Sequence, residues 1–374
     1  MKISRFLLFG FLLVLTASFL SGCTAGASLP SGWPGLLVDQ NTGYLSGNTF
    51  VYAINLENGS LKWKYPADKA DKAKSFFAAP VMTEDGKQLI VGGYDKVLYS
   101  LDPNLGTVLW TFPPMDADGK PAEGGANDRY IASPLVTAQG IFAPNADGFL
   151  YALDLNGNQL WPPFENTQPL WAQPVTDGKC NCLYISSMDH HLYAVDAATG
   201  TQIWQSQDLG AAVVAAPTYD ENGTLFVGTF GNEMLALDSS NGNIQWRAST
   251  TDWVWSSAPQ QDGSIYFGDI QEKQGTFYAL TTSGNAKWNK LTDGAITGTP
   301  LLTKDQIFFG TENGSIFAMD LEGNPAWNTT VSGRVYSPIL ASGDTLYVTP
   351  SDGDALLIAM TNTGSIKWSF IPPK

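Results

Sequence analysis

The sequence predicts an all-β chain folded as a single eight-bladed β-propeller of four-stranded antiparallel blades, and three observations carry that expectation. A Gly-x-x-x-Trp pair occurs eight times, a Pro stands 27–30 residues before each of those Trp residues, and the stretches between them read as short strands punctuated by turns, without helical periodicity. The pairs are Gly59/Trp63, Gly106/Trp110, Gly157/Trp161, Gly200/Trp204, Gly242/Trp246, Gly284/Trp288, Gly323/Trp327 and Gly364/Trp368. Successive Trp residues lie 47, 51, 43, 42, 42, 39 and 41 apart, a mean near 44, and a period in the forties marks a propeller or a solenoid. The prolines are Pro34, Pro80, Pro134, Pro174, Pro217, Pro259, Pro300 and Pro338.

The fifth unit shows the strands in order. A first strand follows Pro217, and Asp220-Glu221-Asn222-Gly223 turns the chain into the apolar, β-branched run Thr224-Leu225-Phe226-Val227. Phe230-Gly231-Asn232 turns again, Met234 to Leu237 is the third strand, Asp238 to Gly242 the third turn, and Ile244-Gln245-Trp246 the fourth strand. One such sheet cannot bury both its faces, but sheets packed radially against one another can. The repeated indole suits that packing. Laid flat across a blade interface, a Trp ring buries roughly 150–250 Å², worth about 4–6 kcal/mol as an upper bound. The Gly four residues earlier allows a positive φ in the turn and close approach of a ring. Asp102, Asp154, Asp196, Asp238 and Asp320, with Asn55 in the first unit, open the same turn and accept hydrogen bonds from its amides; their repetition marks a structural role rather than a set of catalytic acids.

Composition narrows the function classes. With 20 Lys+Arg against 35 Asp+Glu, a formal net charge of −15, the chain has no basic footprint for nucleic acid and is unsuited to anionic lipid surfaces. Residues 1–23 read as a processing signal: Lys2 and Arg5 precede an apolar run from Phe6 to Leu20, too short to span a bilayer, and Leu20-Ser21-Gly22-Cys23 resembles the bacterial lipobox, with Cys23 the lipidated first residue of the mature protein. A short linker, 24–32, follows, leaving 33–374 for the propeller; the leading small-residue stretch Thr24 to Ser31 spans roughly 30 Å at most. The membrane is thus reached through the lipid alone.

Units such as Leu192-Tyr-Ala-Val-Asp-Ala-Ala-Thr-Gly-Thr-Gln-Ile-Trp204 resemble the quinoprotein, or PQQ-like, β-propeller repeat with its tryptophan-docking motif, and the resemblance covers essentially the whole mature chain. It implies the fold, with Trp63, Trp110, Trp161, Trp204, Trp246, Trp288, Trp327 and Trp368 as the docking indoles. It does not choose a function, because the same repeat serves alcohol and glucose dehydrogenases that carry pyrroloquinoline quinone and lipoproteins of the BamB type that assist outer-membrane assembly. The dehydrogenases are further away: they carry two adjacent cysteines over the quinone and a Glu/Asn/Asp calcium set, whereas this chain has Cys180-Asn181-Cys182 at the turn before the second strand of the fourth unit. That pair reads equally as a disulfide or as free thiols. The BamB-like reading fits a lipoprotein with eight similar units and an acidic balance, and Thr24 lacks the Asp that would mark inner-membrane retention.

No metal site is expected. His190 and His191 fall in the turn beyond the second strand of the fourth unit, and five residues of strand put them roughly 15 Å from the cysteines. Asp116-x-Asp118-Gly119 with Glu123 lacks most ligand positions of a calcium loop. Nor does any acid–base or nucleophilic set converge, so no catalytic residue is named and no cofactor is expected.

In a propeller the linkers from each Trp to the next Pro share one face with the turns after the second strands, and recognition is expected there. These linkers span 17, 24, 13, 13, 13, 12 and 11 residues, with Thr111 to Ser133 the long one. Residue types favoured at binding hot spots mark the candidate face: Phe77, Arg129, Tyr130, Trp171, Trp253, Trp255, Arg334 and Tyr336. For Phe77 and Trp171 plugging the channel is an equal reading; Trp253 and Trp255 flank Val254 and are expected to project to one side. The expectation is an extracytoplasmic, lipid-anchored scaffold for a protein or peptide partner, without nucleic acid. A quinone-dependent dehydrogenase-like enzyme and a carbohydrate-binding surface protein are the alternatives.

Overall fold

The computed structural model describes residues 32–68, 74–271 and 273–373. The signal segment 1–23, the lipidation site Cys23 and linker residues 24–31 lie outside them.

Eight antiparallel sheets occupy 35–65, 81–112, 135–165, 182–205, 218–249, 260–291, 301–330 and 340–370, and no helix occurs among the described residues. Within each sheet the strands neighbour one another in chain order, as an up-and-down meander. First strands of adjacent blades approach each other, 81–82 against 135–137 and 35–39 against 340–342, which places them innermost. Seven sheets have four strands. In the fourth, the first strand shrinks to a bridge between Val175 and Tyr184, because the following turn is gathered by Asp177, whose carboxylate accepts the amides of Lys179 (2.8 Å) and Cys180 (3.1 Å). In the third, Pro162-Pro163 interrupts the outer strand, leaving Phe164–Glu165.

The core lies between blades rather than within them. Leu225 and Val227 pack toward the fourth blade while Phe226, alternating to the opposite face, packs toward the sixth; eight apolar clusters of this kind fill the eight interfaces. Each indole lies over the repeated Gly of the next blade: a Cβ on Gly106 would fall 2.5 Å from the ring of Trp63, and the same relation joins Trp327 to Gly364 and Trp368 to Gly59. The indole N–H then donates to a turn carbonyl, as Trp204 does to Ser239 (3.0 Å) and Trp246 to Thr282 (2.9 Å). The Trp368–Gly59 contact, with the apolar cluster joining Leu36, Leu45 and Tyr52 to Tyr347 and Leu357, shuts the ring between the last blade and the first. No strand is exchanged: blade one uses 35–65 and blade eight 340–370.

In seven blades the register slips by one residue just before the Trp, so Ala53 faces Trp63 while Ile54 faces Leu61 and Lys62 bulges between them. That residue stands on the outer strand of its blade.

A candidate recognition face around the channel mouth

Alternating strand directions bring the linkers and the second-to-third turns to one face, and backbone hydrogen bonds lace them together. In every linker one carbonyl accepts from the turn of the blade ahead, and the next residue's N–H donates to the turn of the blade behind. Arg129 accepts from Ala146 (3.2 Å) while Tyr130 donates to Gly93 (3.2 Å); Trp253 accepts from Ile270 (3.0 Å) while Val254 donates to Thr229 (3.1 Å); Arg334 accepts from Ser351 (2.7 Å) while Val335 donates to Thr311 (3.1 Å). The donating residue is thereby turned inward between blades. Phe76, Tyr130, Leu170, Val213, Val254, Ile296 and Val335 occupy this position, and all are at most 1% exposed.

This register sorts the candidates. Arg129, Trp253 and Arg334 stand at the accepting position and are exposed, Trp253 to 44%. Tyr130 is not on the surface as expected; it is the inward residue of its linker, its Cβ packed over Gly92, and its hydroxyl is buried without a partner. Burial pushes that phenol well above its usual pKa. The residue after the inward one points to the channel, and Phe77, Trp171, Trp255 and Tyr336 stand there. Phe77 is 6% exposed, covered by Gly32 and by Tyr94 (ring centroids 4.8 Å), so it plugs the mouth instead of lining an open site. Trp171 is half-buried, with its indole N–H enclosed.

The aromatic residues cluster in two groups. In the larger, Trp253 stacks on Phe230 at 4.5 Å, and Trp255 meets the same ring at 5.4 Å, so the two tryptophans flanking Val254 do share one side. Trp255 in turn meets Trp33 edge-on at 4.9 Å, and Trp33 stacks on Tyr336 at 5.2 Å. Arg334 donates to the Tyr336 hydroxyl (2.9 Å), which raises the guanidinium pKa further. In the smaller, Arg129 lies over Tyr94 at 5.4 Å beside Phe77. Trp33 and Phe230 are not legible as members in the sequence: Trp33 only opens the propeller segment, and Phe230 reads as a turn residue. Their signals were a Trp directly before the repeated Pro, and a ring at a turn position that holds Ala146 and Met188 in other blades.

Tyr99, Tyr151 and Tyr193 donate from the third strands to Asp95, Asp147 and Asp189 of the second-to-third turns, and Tyr278 does the same to Asp269 (2.9 Å). Burial raises the Asp95 and Asp269 pKa values, opposed by these hydrogen bonds. The repetition across blades makes them turn supports. The long linker turns on itself: Asp116 accepts from Asp118 (2.9 Å) and Lys120 (2.8 Å), so its carboxylate is used internally. Among the described residues no group of three His, Cys, Asp or Glu could hold a metal ion.

The family model described as outer membrane protein assembly factor BamB matches residues 47–178, 188–322 and 294–372. The chain belongs to this family of PQQ-like repeat propellers. Outer membrane protein assembly factor BamB of Yersinia pestis is 24% identical over 243 residues, 63% of this chain and 58% of that protein. Quinohemoprotein alcohol dehydrogenase of Comamonas testosteroni is 24% identical over 277 residues, 71% of this chain but 30% of the enzyme. The chain thus spans less than two thirds of either relative. The crystal structure of BamB from Moraxella catarrhalis superposes with a TM-score of 0.68 at 16% identity, covering 87% of this chain and 92% of that one, which speaks for the fold.

Cys180 and Cys182 form a disulfide within the first-to-second turn of blade four, on the face opposite the linkers. At the channel mouth Trp33 packs between Trp255 and Tyr336.

Proposed function

We propose that this protein is an extracytoplasmic scaffold, tethered to a bacterial membrane through a lipid on Cys23, that holds a protein partner or an extended peptide on its linker face and serves envelope protein assembly without catalysing a reaction or carrying a quinone. The observation that carries this reading is the exposed Trp253, stacked on Phe230 and continuous with Trp255, Trp33, Tyr336 and Arg334. Rigid aromatic area with a forked donor at its rim is the composition of binding hot spots. Family membership and the names of the BamB relatives support the assembly role and an outer-membrane address. Gly32 lies on the ring of Phe77 at this same face. The linker Thr24 to Ser31 spans roughly 30 Å at most, which would keep the propeller close to the bilayer.

The test is quantitative pull-down from native membranes with the lipidated protein. Trp253→Ala, Trp255→Ala and Arg334→Ala combined, with near-ultraviolet circular dichroism showing a native fold, should lower recovery of the partner at least roughly tenfold. Cys23→Ser should move the protein to the soluble fraction. Unchanged recovery by the triple variant removes this face from consideration.

A further inference from the structure

At the residue before the Trp, three consecutive blades carry a large exposed aliphatic, where the other five carry Lys62, Gln245, Lys287, Ala326 and Lys367. In blades one, six and eight that residue is Lys62, Lys287 or Lys367, and each ammonium reaches the start of the second strand to donate to Thr42 (2.6 Å), Ser264 (2.9 Å) or Thr345 (2.7 Å). A lysine there keeps the sheet edge wet and charged, a common guard against unwanted pairing. Blades two, three and four instead carry Leu109, Leu160 and Ile203, exposed to 49%, 44% and 50%. The neighbouring turns add Leu105 (68% exposed) and Leu155 (37%), and the outer strand of blade two adds Val108 (40%).

These residues stand before the Trp, in the outer strand or in the third turns of three consecutive blades. The turn holding Leu155 reaches across to blade two, where its carbonyl accepts from the Trp110 indole (3.0 Å) and from Gln88 (2.9 Å). Beside it a cleft of ≈ 540 Å³ opens between Val108, Trp110 and Met115 on one wall and Gly157 and Gln159 on the other. A cleft between blades seven and eight mixes Lys304, Asp305, Asp320 and Asp344 with Phe308, Pro325 and Leu346. Single exposed aliphatics need no explanation, but six on three consecutive blades point to an interaction surface. Its border is anionic: Asp102, Asp154 and Asp196 open the third turns of the same three blades, and turn amides and side chains outweigh desolvation to hold Asp154 and Asp196 below the usual carboxylate pKa. The outer strand of blade two, Val108–Phe112, and that of blade four, Gln202–Gln205, contain no charged residue.

We infer that the rim of blades two to four is a second docking surface, separate from the linker face, for a segment of a partner protein in which aliphatic residues alternate with Lys or Arg. The aliphatic side chains cover Leu109, Leu160 and Ile203, one enters the cleft beside Trp110, and the cations meet the three turn carboxylates. Charge complementarity chooses this occupant over an acidic or uncharged apolar one.

The probe is a synthetic Lys-Leu alternating octapeptide, with its Glu-Leu counterpart as control, titrated into the folded protein while backbone amide shifts are followed by NMR. The expected result is saturable binding of the cationic peptide with shifts centred on 105–111, 155–160 and 203. Leu109→Lys, Leu160→Lys and Ile203→Lys together copy the residue that blades one, six and eight already carry, so the fold is preserved, and should weaken binding at least roughly tenfold. Leu61→Lys with Ile366→Lys, at comparably exposed aliphatics of blades one and eight, should leave it within twofold. Equal loss in both variants, equal binding of the Glu-Leu peptide, or a concentration-dependent dimer seated on this rim in sedimentation overturns the inference. The linker-face triple variant should bind the probe normally, so failure here and failure of the scaffold reading are separately visible.

Discussion

At the scale of the residue, a one-position difference in linker register separates a packing residue from a recognition residue. Ile296 and Trp253 both stand in loops without regular strand structure, yet Ile296 is fully buried because its N–H must reach Asp269 of the blade behind (2.9 Å), whereas Trp253 offers its carbonyl to Ile270 and keeps its ring at the surface. Truncation separates the two cases. Ile296→Ala should cost about 3 kcal/mol in urea unfolding, as a cavity between blades six and seven, while Trp253→Ala should cost less than about 1 kcal/mol. Comparable losses would mean that Trp253 is a structural residue. Tyr130 carries the same lesson: its residue type advertises recognition, but the inward register claims it for the core.

At the scale of the element, the third turn is held by a carboxylate in five of the blades, whereas Asn55, Thr281 and Thr361 take that place in blades one, six and eight. Asp238 accepts from the Ser240 hydroxyl (2.6 Å) and amide (2.8 Å), and Asp320 from the Asn324 side chain (2.8 Å) and amide (2.7 Å), which keeps both carboxyls below their usual pKa. A depressed folded pKa means the stabilisation is present above the unfolded value, about 4, and is lost as pH falls through the folded value. Asp95 and Asp269 act in the opposite sense, because burial raises them: their contribution is present below the unfolded value and fades as pH rises through the folded one. Asp238→Asn with Asp320→Asn keeps the turn geometry and removes the charge. Thermal unfolding of the variant should match the wild type near pH 2.5 and fall below it above about pH 4. Parallel curves across that range would show that turn ionisation does not contribute.

At the scale of the whole molecule, closure is non-covalent. Trp368 on Gly59 joins the two ends of the chain, whereas the equivalent Trp204 on Gly242 joins blades already connected by a linker. Removing either indole loses similar buried area, but only the first opens the ring. Trp368→Ala should speed amide exchange selectively in 35–65 and 340–370, while Trp204→Ala should do so around 182–249, read by hydrogen–deuterium exchange. Uniform acceleration throughout by Trp368→Ala would show that the ring opens as one unit instead of fraying at its seam.

What the amino-acid order determined unaided was the number of blades, the strand order within a unit and the place of the indoles, because these rest on local periods: two residues for a strand, a few for a turn, about 44 for a blade. The same order left the fourth blade's missing strand and the third blade's broken one unread, since Asp177 and Pro162-Pro163 act through turns and partners rather than through pattern. Trp33 and Phe230, distant in sequence, meet at the channel mouth through Trp255, and nothing periodic connects them. Tertiary structure alone decided which linker side chains face water, because linkers take their register from hydrogen bonds to two neighbouring blades, and those partners exist only once the ring has closed.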